Sequence, residues 1–353
     1  MVAGPAGADT LARVTTPSPF WTTLLLSCAA ALSACGGSDA DGALASGAAG
    51  AAGTSGGGSA GAAGAGGDAT AGSSAAGSSA AGMAGASGAP SGPAPDAKFL
   101  PSPKGACPEL VKGKITVSPG GKPRDVQLWI SDAAKSLDGP LVFYWHGTGS
   151  SPVFEPPYGL GNSQIAEIEA QGGIVAAPYH DPAAGTFPWF LIDGSGPDDD
   201  LVVADEILAC AIQKVGIDVR RIHSVGMSAG GLQTAQLSWR RSGYVASSVV
   251  YSGGQYLQPP NQDPSNKFPS MIFWGGKTDC YGQYCFDAPT NAYKKALTDA
   301  GHFAFICDHG GGHTIPQKDV GATWKFLSAH PYGTNPSPYA AGLPTGFPSG
   351  CAL

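Results

Sequence analysis

Five residues, Gly226-Met227-Ser228-Ala229-Gly230, constrain this chain more than any other feature. They follow an apolar, strand-like run at 222–226 and precede a helix-like run that starts near Ala229. A serine held on a sharp turn between a buried strand and a helix needs glycine on both sides, because the two backbones approach each other closely there. Ala229 is small for the same reason, and Gly231 adds clearance. Such a turn belongs at the carboxyl end of a strand in a mostly parallel sheet, where open α/β folds bind ligands.

The surrounding pattern agrees. Residues 125–130 alternate apolar and polar, as a half-buried strand does, and 141–145 form the continuous apolar run of a buried parallel strand. Further strands are expected at 174–177, 247–251, 271–274 and 303–307. Helices are expected at 161–171, 198–214, 229–239, 289–300 and 320–329. Asp198, Asp199 and Asp200 suit the positive end of the second of these. Strands that alternate with helices predict the α/β class, with a mostly parallel central sheet and helices on both faces.

Composition divides the chain into three parts. Residues 36–97 are almost all Gly, Ala and Ser. They have too few large apolar side chains to offset the entropy of ordering the backbone, so a disordered tether is expected. Residues 98–353 carry nearly all the aromatic and charged side chains and are expected to form one catalytic domain. In residues 1–35, Arg13 precedes an apolar run at 20–34 that is too short for a comfortable membrane span and suits a signal peptide. Its end, Leu32-Ser33-Ala34-Cys35, resembles a bacterial lipobox, with Cys35 as the lipidated residue. Cleavage by an ordinary signal peptidase is the alternative. Either way the protein is expected to be exported, as an outer-membrane lipoprotein of the cell envelope or as an extracellular protein. Net charge is −7, and the 19 basic residues form no basic stripe, which argues against a nucleic-acid partner. Membrane contact is expected only through the lipid anchor, and the protein is expected to be a monomer.

Beyond Cys28 and Cys35, six cysteines remain, an even number that suits disulfides in an exported chain. Six allow about fifteen pairings. Cys280 with Cys285 closes the shortest loop, which would leave Cys307 with Cys351 and Cys107 with Cys210. No Cys-x-x-Cys spacing is present, and neither a metal nor a cofactor is expected.

A serine hydroxyl attacks poorly without a base, and the base needs an acid to fix its tautomer. His313, in Gly310-Gly311-Gly312-His313-Thr314, follows a strand and is flanked by glycines that let the loop bend over the serine; His309 is its rival. Asp279 follows the strand at 271–274 through Gly275-Gly276-Lys277-Thr278, and Asp287 is the runner-up. Oxyanion donors are expected from the backbone of Ala229 and from Thr148 or Gly147 in the turn His146-Gly147-Thr148-Gly149. Tyr179, Trp189 and Tyr251, with Phe187, Phe190, Tyr256 and Tyr281, fall in loops at the carboxyl ends of strands and are expected to line a substrate cleft. The segment 181–197 is expected to form a lid or cleft wall.

Together, the segments 141–149, 219–231, 273–279 and 310–314 resemble the polyhydroxybutyrate depolymerase and feruloyl-esterase-like branch of the α/β-hydrolases. The resemblance covers roughly 107–328. It implies an α/β-hydrolase fold, with Ser228 as nucleophile, Asp279 as acid, His313 as base and His146-Gly147 as the oxyanion turn. It also implies an ester substrate, small or polymeric. Two positions depart from the family's pattern, both expected at the mouth of the site: Thr148 stands where many relatives have Cys, and Ile315 where a Trp is common. A serine peptidase of the same fold and a non-catalytic surface binding module are the competing expectations.

Overall fold

A computed structural model describes residues 96–353. The expected signal peptide, Cys35 and residues 36–95 of the expected tether lie outside the described residues. The strands are β1 (Gly113–Val117), β2 (Arg124–Trp129), β3 (Gly139–Trp145), β4 (Ile174–Pro178), β5 (Ile217–Met227), β6 (Ser247–Tyr251), β7 (Ser270–Trp274), β8 (Cys280–Tyr281), β9 (Tyr284–Cys285), β10 (Ala304–Asp308) and β11 (Cys351–Ala352). The helices are α1 (Glu155–Leu160), α2 (Asn162–Ala170), α3 (Asp199–Lys214), α4 (Ala229–Arg240), α5 (Asp287–Asp299) and α6 (Val320–Ser328).

Nine strands form one sheet in the order β1-β2-β4-β3-β5-β6-β7-β10-β11. The stretch from β4 to β10 is parallel, while β1, β2 and β11 pair antiparallel at the two edges. A two-stranded ladder, β8 with β9, stands apart from the sheet. The α/β expectation therefore holds, with antiparallel edges added.

Strand β3 explains why both faces carry helices. All of its residues are buried. Leu141, Phe143 and Trp145 pack with Leu201 and Leu208 of α3 and Leu237 of α4. Val142 and Tyr144 point the other way and pack with Leu160 of α1, Ile165 of α2 and Phe326 of α6. A third cluster joins Trp239 of α4 to Tyr293 and Leu297 of α5 over β6 and β7. Each large apolar side chain removed from water in these layers contributes about 1.5–3 kcal/mol.

Some boundaries moved. Gly161 sits at φ 88°, a left-handed conformation that starts α2 one residue later than expected. The helix α1, with Pro156 and Pro157 in its first turn, was not foreseen. Three disulfides join Cys107 to Cys210, Cys280 to Cys285 and Cys307 to Cys351. They point to an oxidising environment. The last holds β11 on the edge of β10 and so ties down the Pro- and Gly-rich tail. Among the described residues, no helix is long and apolar enough to cross a membrane.

Candidate active site

The turn between β5 and α4 places Ser228 at φ 58° and ψ −120°. Non-glycine residues rarely occupy this region, and holding one there costs about 1–3 kcal/mol. The surrounding contacts fix it. The Ser228 N–H donates to the Tyr251 carbonyl at 2.9 Å, and Leu232 N–H donates back to the Ser228 carbonyl at 3.0 Å. The flanking glycines are sterically required. A Cβ at Gly226 would lie 2.2 Å from the Gly230 carbonyl oxygen, and one at Gly230 would lie 1.8 Å from that of Trp145.

Three side chains from separate segments meet at this turn. His313 Nε2 lies 3.0 Å from Ser228 Oγ, and its Nδ1 lies 2.8 Å from Asp279 Oδ1. Asp279 is buried, and its second oxygen accepts the Gly275 N–H at 2.9 Å. The histidine loop is seated on the same turn: Gly312 N–H donates to the Gly275 carbonyl at 2.9 Å. A carboxylate can only accept here, so Nδ1 carries the proton and Nε2 offers its lone pair to the serine hydroxyl. Phe286 stacks on the His313 ring at 4.7 Å and 17°. His309 and Asp287 do not join this chain. His309 Nδ1 accepts the Gly311 N–H, and Asp287 opens α5 and accepts from Asn291.

The hairpin β8–β9 braces the acid. Phe286 N–H donates to the Asp279 carbonyl at 2.9 Å, and Cys280–Cys285 closes the loop between them. Removing so short a cross-link is expected to cost about 2 kcal/mol. The Cys280→Ser/Cys285→Ser double variant should therefore unfold at lower urea, which urea melts measure.

On the far side of Ser228, the turn after β3 is held by several bonds. The Trp189 indole N–H donates to the His146 carbonyl at 2.9 Å, and Ser150 N–H to the Gly147 carbonyl at 3.1 Å. His146 Nδ1 also lies 2.9 Å from the Gly147 carbonyl. Burial pushes the His146 imidazole down to about 4, so the ring is neutral. Its Nδ1–H donates to that carbonyl, and its Nε2 faces His180 Nδ1 at 3.4 Å. Gly147 departs from expectation. Its N–H donates to both carboxylate oxygens of buried Glu155, each at 3.1 Å, so it is not free to serve as an oxyanion donor. The other candidate in this turn is Thr148, and Ala229 opens α4 directly after Ser228.

Two of the expected cleft residues lie elsewhere. Trp189 is 1% exposed and packs edge-on against Trp145 at 4.9 Å. Tyr251 is fully buried and stacks on Phe273, while its hydroxyl bonds the Gly159 carbonyl at 2.8 Å and reaches Thr323. Both therefore support the site from within the core. Ile315 is likewise buried, away from the mouth. Tyr179 is half-buried at the end of β4, with Lys114 Nζ 5.7 Å over its ring. Tyr281, 48% exposed and 6.0 Å from His313, does reach the rim. In the 181–197 segment, Phe187 meets Tyr284 edge-on at 5.5 Å. Glu155 and Phe286 were missed. Neither belongs to a motif, and only the three-dimensional packing brings them to the turn and the ring. Among the described residues, no group of three or more His, Cys, Asp or Glu side chains is placed to hold a metal ion.

No protein-family model matches the chain, and no curated protein matches it in sequence. Solved structures do match. Native pOPH aligns at TM-score 0.55 and 19% identity over 70% of this chain and 96% of that one. Native sOPH aligns at 0.54 and 18%, with the same coverage. A pOPH variant in complex with pNPB aligns at 0.55 and 18%. The chain has the α/β-hydrolase fold. In this fold the serine turn after β5, the acid after β7 and the histidine after β10 all stand at the carboxyl edge of the sheet.

Proposed function

We propose that this protein is an exported serine carboxylesterase that cleaves ester bonds through an acyl-enzyme on Ser228. The observation that carries the proposal is the continuous Ser228–His313–Asp279 chain, with the serine on a strained turn. His313 Nε2 takes the hydroxyl proton as Oγ attacks the ester carbonyl. The N–H groups of Ala229 and Thr148 receive the developing oxyanion, each worth about 10²–10³ in rate. Asp279 stabilises the imidazolium, which then protonates the departing alcohol. Water, activated by the same histidine, releases the acid.

Exposed Tyr281, 6.0 Å from His313, supports a substrate with a hydrophobic group near the ester. A polyester oligomer, a feruloyl ester and an acetylated sugar are the substrate classes to compare. Export through a signal peptide with Cys35 as lipid anchor, action as a monomer and the absence of any cofactor complete the proposal. Export is supported by the signal-like sequence and the three disulfides.

The test is a hydrolysis screen with short p-nitrophenyl esters, hydroxybutyrate oligomers, feruloyl esters and acetylated sugars, beside matched anilides. Ester turnover far above anilide turnover is expected. Anilide or peptide cleavage at equal rates would replace the esterase with a peptidase, and no turnover at all would favour a binding module.

A further inference from the structure

The turn that follows β3 has a buried acid behind it that the mechanism above does not use. Glu155 is the first residue of α1 and is 5% exposed. Both of its carboxylate oxygens accept the N–H of Gly147. Gly147 in turn separates Glu155 from the serine. A Cβ built on Gly147 would lie 3.2 Å from Ser228 Cβ and 3.6 Å from Glu155 Oε2. The carboxylate thus stands one glycine away from the nucleophile, behind the turn that must supply an oxyanion donor.

A peptide N–H buried without an acceptor is costly, so the Gly147 peptide will face whichever acceptor is present. With Glu155 in place, its N–H points at the carboxylate. Its carbonyl is held on the other side by Ser150 N–H and His146 Nδ1. The N–H belongs to the His146–Gly147 peptide and the carbonyl to the Gly147–Thr148 peptide, whose other group is the Thr148 N–H. With both planes held, the rotation of Gly147 between them is set, and with it the direction of the Thr148 N–H. Helix α1 is itself anchored, since the Gly159 carbonyl accepts the Tyr251 hydroxyl. The acceptor is therefore mounted on a rigid element.

We propose that Glu155 is the positioning residue of the oxyanion turn: by accepting the Gly147 N–H it directs the Thr148 N–H toward the reacting carbonyl. This rests on the esterase proposal. It makes Glu155 a residue that acts on the transition state through Gly147 and Thr148, without touching substrate. Burial pushes its carboxyl up to about 7, so near neutrality much of the protein carries it uncharged, and a neutral amide is a fair replacement. One oxygen of such an amide can still accept the Gly147 N–H.

The experiment compares Glu155→Gln with Glu155→Leu on a p-nitrophenyl ester, separating kcat from KM, with wild type and Ser228→Ala alongside. E155L should lose about 10²-fold in kcat with little change in KM, the cost of a misplaced donor. E155Q should recover most of that loss. If E155L fails to fold, E155D makes the same test, since it keeps the carboxyl group but withdraws it by one methylene. A folded E155L or E155D with wild-type kcat overturns the proposal, as does an E155Q as impaired as E155L. A wild type no faster than S228A overturns the esterase proposal and this one together. An active wild type with indifferent Glu155 variants overturns only the role of Glu155.

Discussion

Ser228→Ala should lower kcat by about 10⁵–10⁶-fold, with the folded state unchanged by circular dichroism. His313→Ala should be nearly as damaging. Asp279→Asn should cost about 10⁴-fold, because an amide can donate and so favours the wrong histidine tautomer. The losses should not add. Once Ser228 is gone, Nε2 has nothing to activate, so the Ser228→Ala/His313→Ala double variant should be no worse than the serine variant alone. The expectation follows from one hydrogen-bonded line, Oγ to Nε2 at 3.0 Å and Nδ1 to Oδ1 at 2.8 Å, with no second base or acid on it. Steady-state rates on the best ester of the screen measure it. Multiplicative losses in the double variant would mean that the residues act separately.

The second large effect is acid lability. Four histidines are buried in the fold: His146, His223, His302 and His330. Burial pushes His146, His302 and His330 down to about 4, and His223 to about 3. In the unfolded chain each titrates near its ordinary value of about 6.5. Between these limits the unfolded state binds more protons than the native state, so stability is full above about 6.5 and falls as pH drops through that window. Glu155 acts in the opposite sense. Its carboxyl, raised to about 7, favours the native state at low pH, and that contribution fades as pH rises through 7. Asp200, whose carboxyl burial also raises, acts in the same sense as Glu155, so four histidines oppose two acids and the net slope over pH 4–6.5 is positive. Each unit of differential titration is worth about 1.4 kcal/mol, and a whole domain has about 5–15 kcal/mol of stability. The protein should therefore unfold cooperatively on mild acidification, well above the ordinary carboxylate range. Circular dichroism against pH measures the transition. His302→Phe or His223→Gln should move its midpoint to lower pH, and a native spectrum retained at pH 3.5 would contradict the account.

What could be foreseen in this chain was local or ordered along it. Gly226, Gly230 and Ser228 announce a sharp turn because their backbones must touch, whatever surrounds them. Asp279 and His313 could be named because the fold requires the acid and the base to follow the serine at the ends of later strands. The sheet's parallel strands were equally plain, since a strand buried on both faces is a continuous apolar run.

What could not be foreseen depended on burial. Trp189 lies in the long connection after β4 and Tyr251 at the end of β6, where an aromatic side chain serves a cleft or a core equally well, and helices packed from elsewhere place both in the core. Glu155 precedes two prolines and looks like a surface acid, yet α1 packs it against the turn. Gly147 was expected to donate to the substrate because its sequence does not reveal the carboxylate behind it. The two-residue strand β11 has too few residues for any pattern, and Cys351 in it is bonded to Cys307 of β10.

If Ser228 is acylated during turnover, its hydroxyl should also be captured covalently by a reactive phosphonate. The protein is incubated with a fluorophosphonate ester, its intact mass is recorded, and the adduct is mapped by peptide sequencing. One equivalent is expected, on the peptide containing Ser228, with none in Ser228→Ala and a strongly slowed reaction in His313→Ala. An adduct on any other residue, or full hydrolytic activity in a protein that takes up no label, would contradict it.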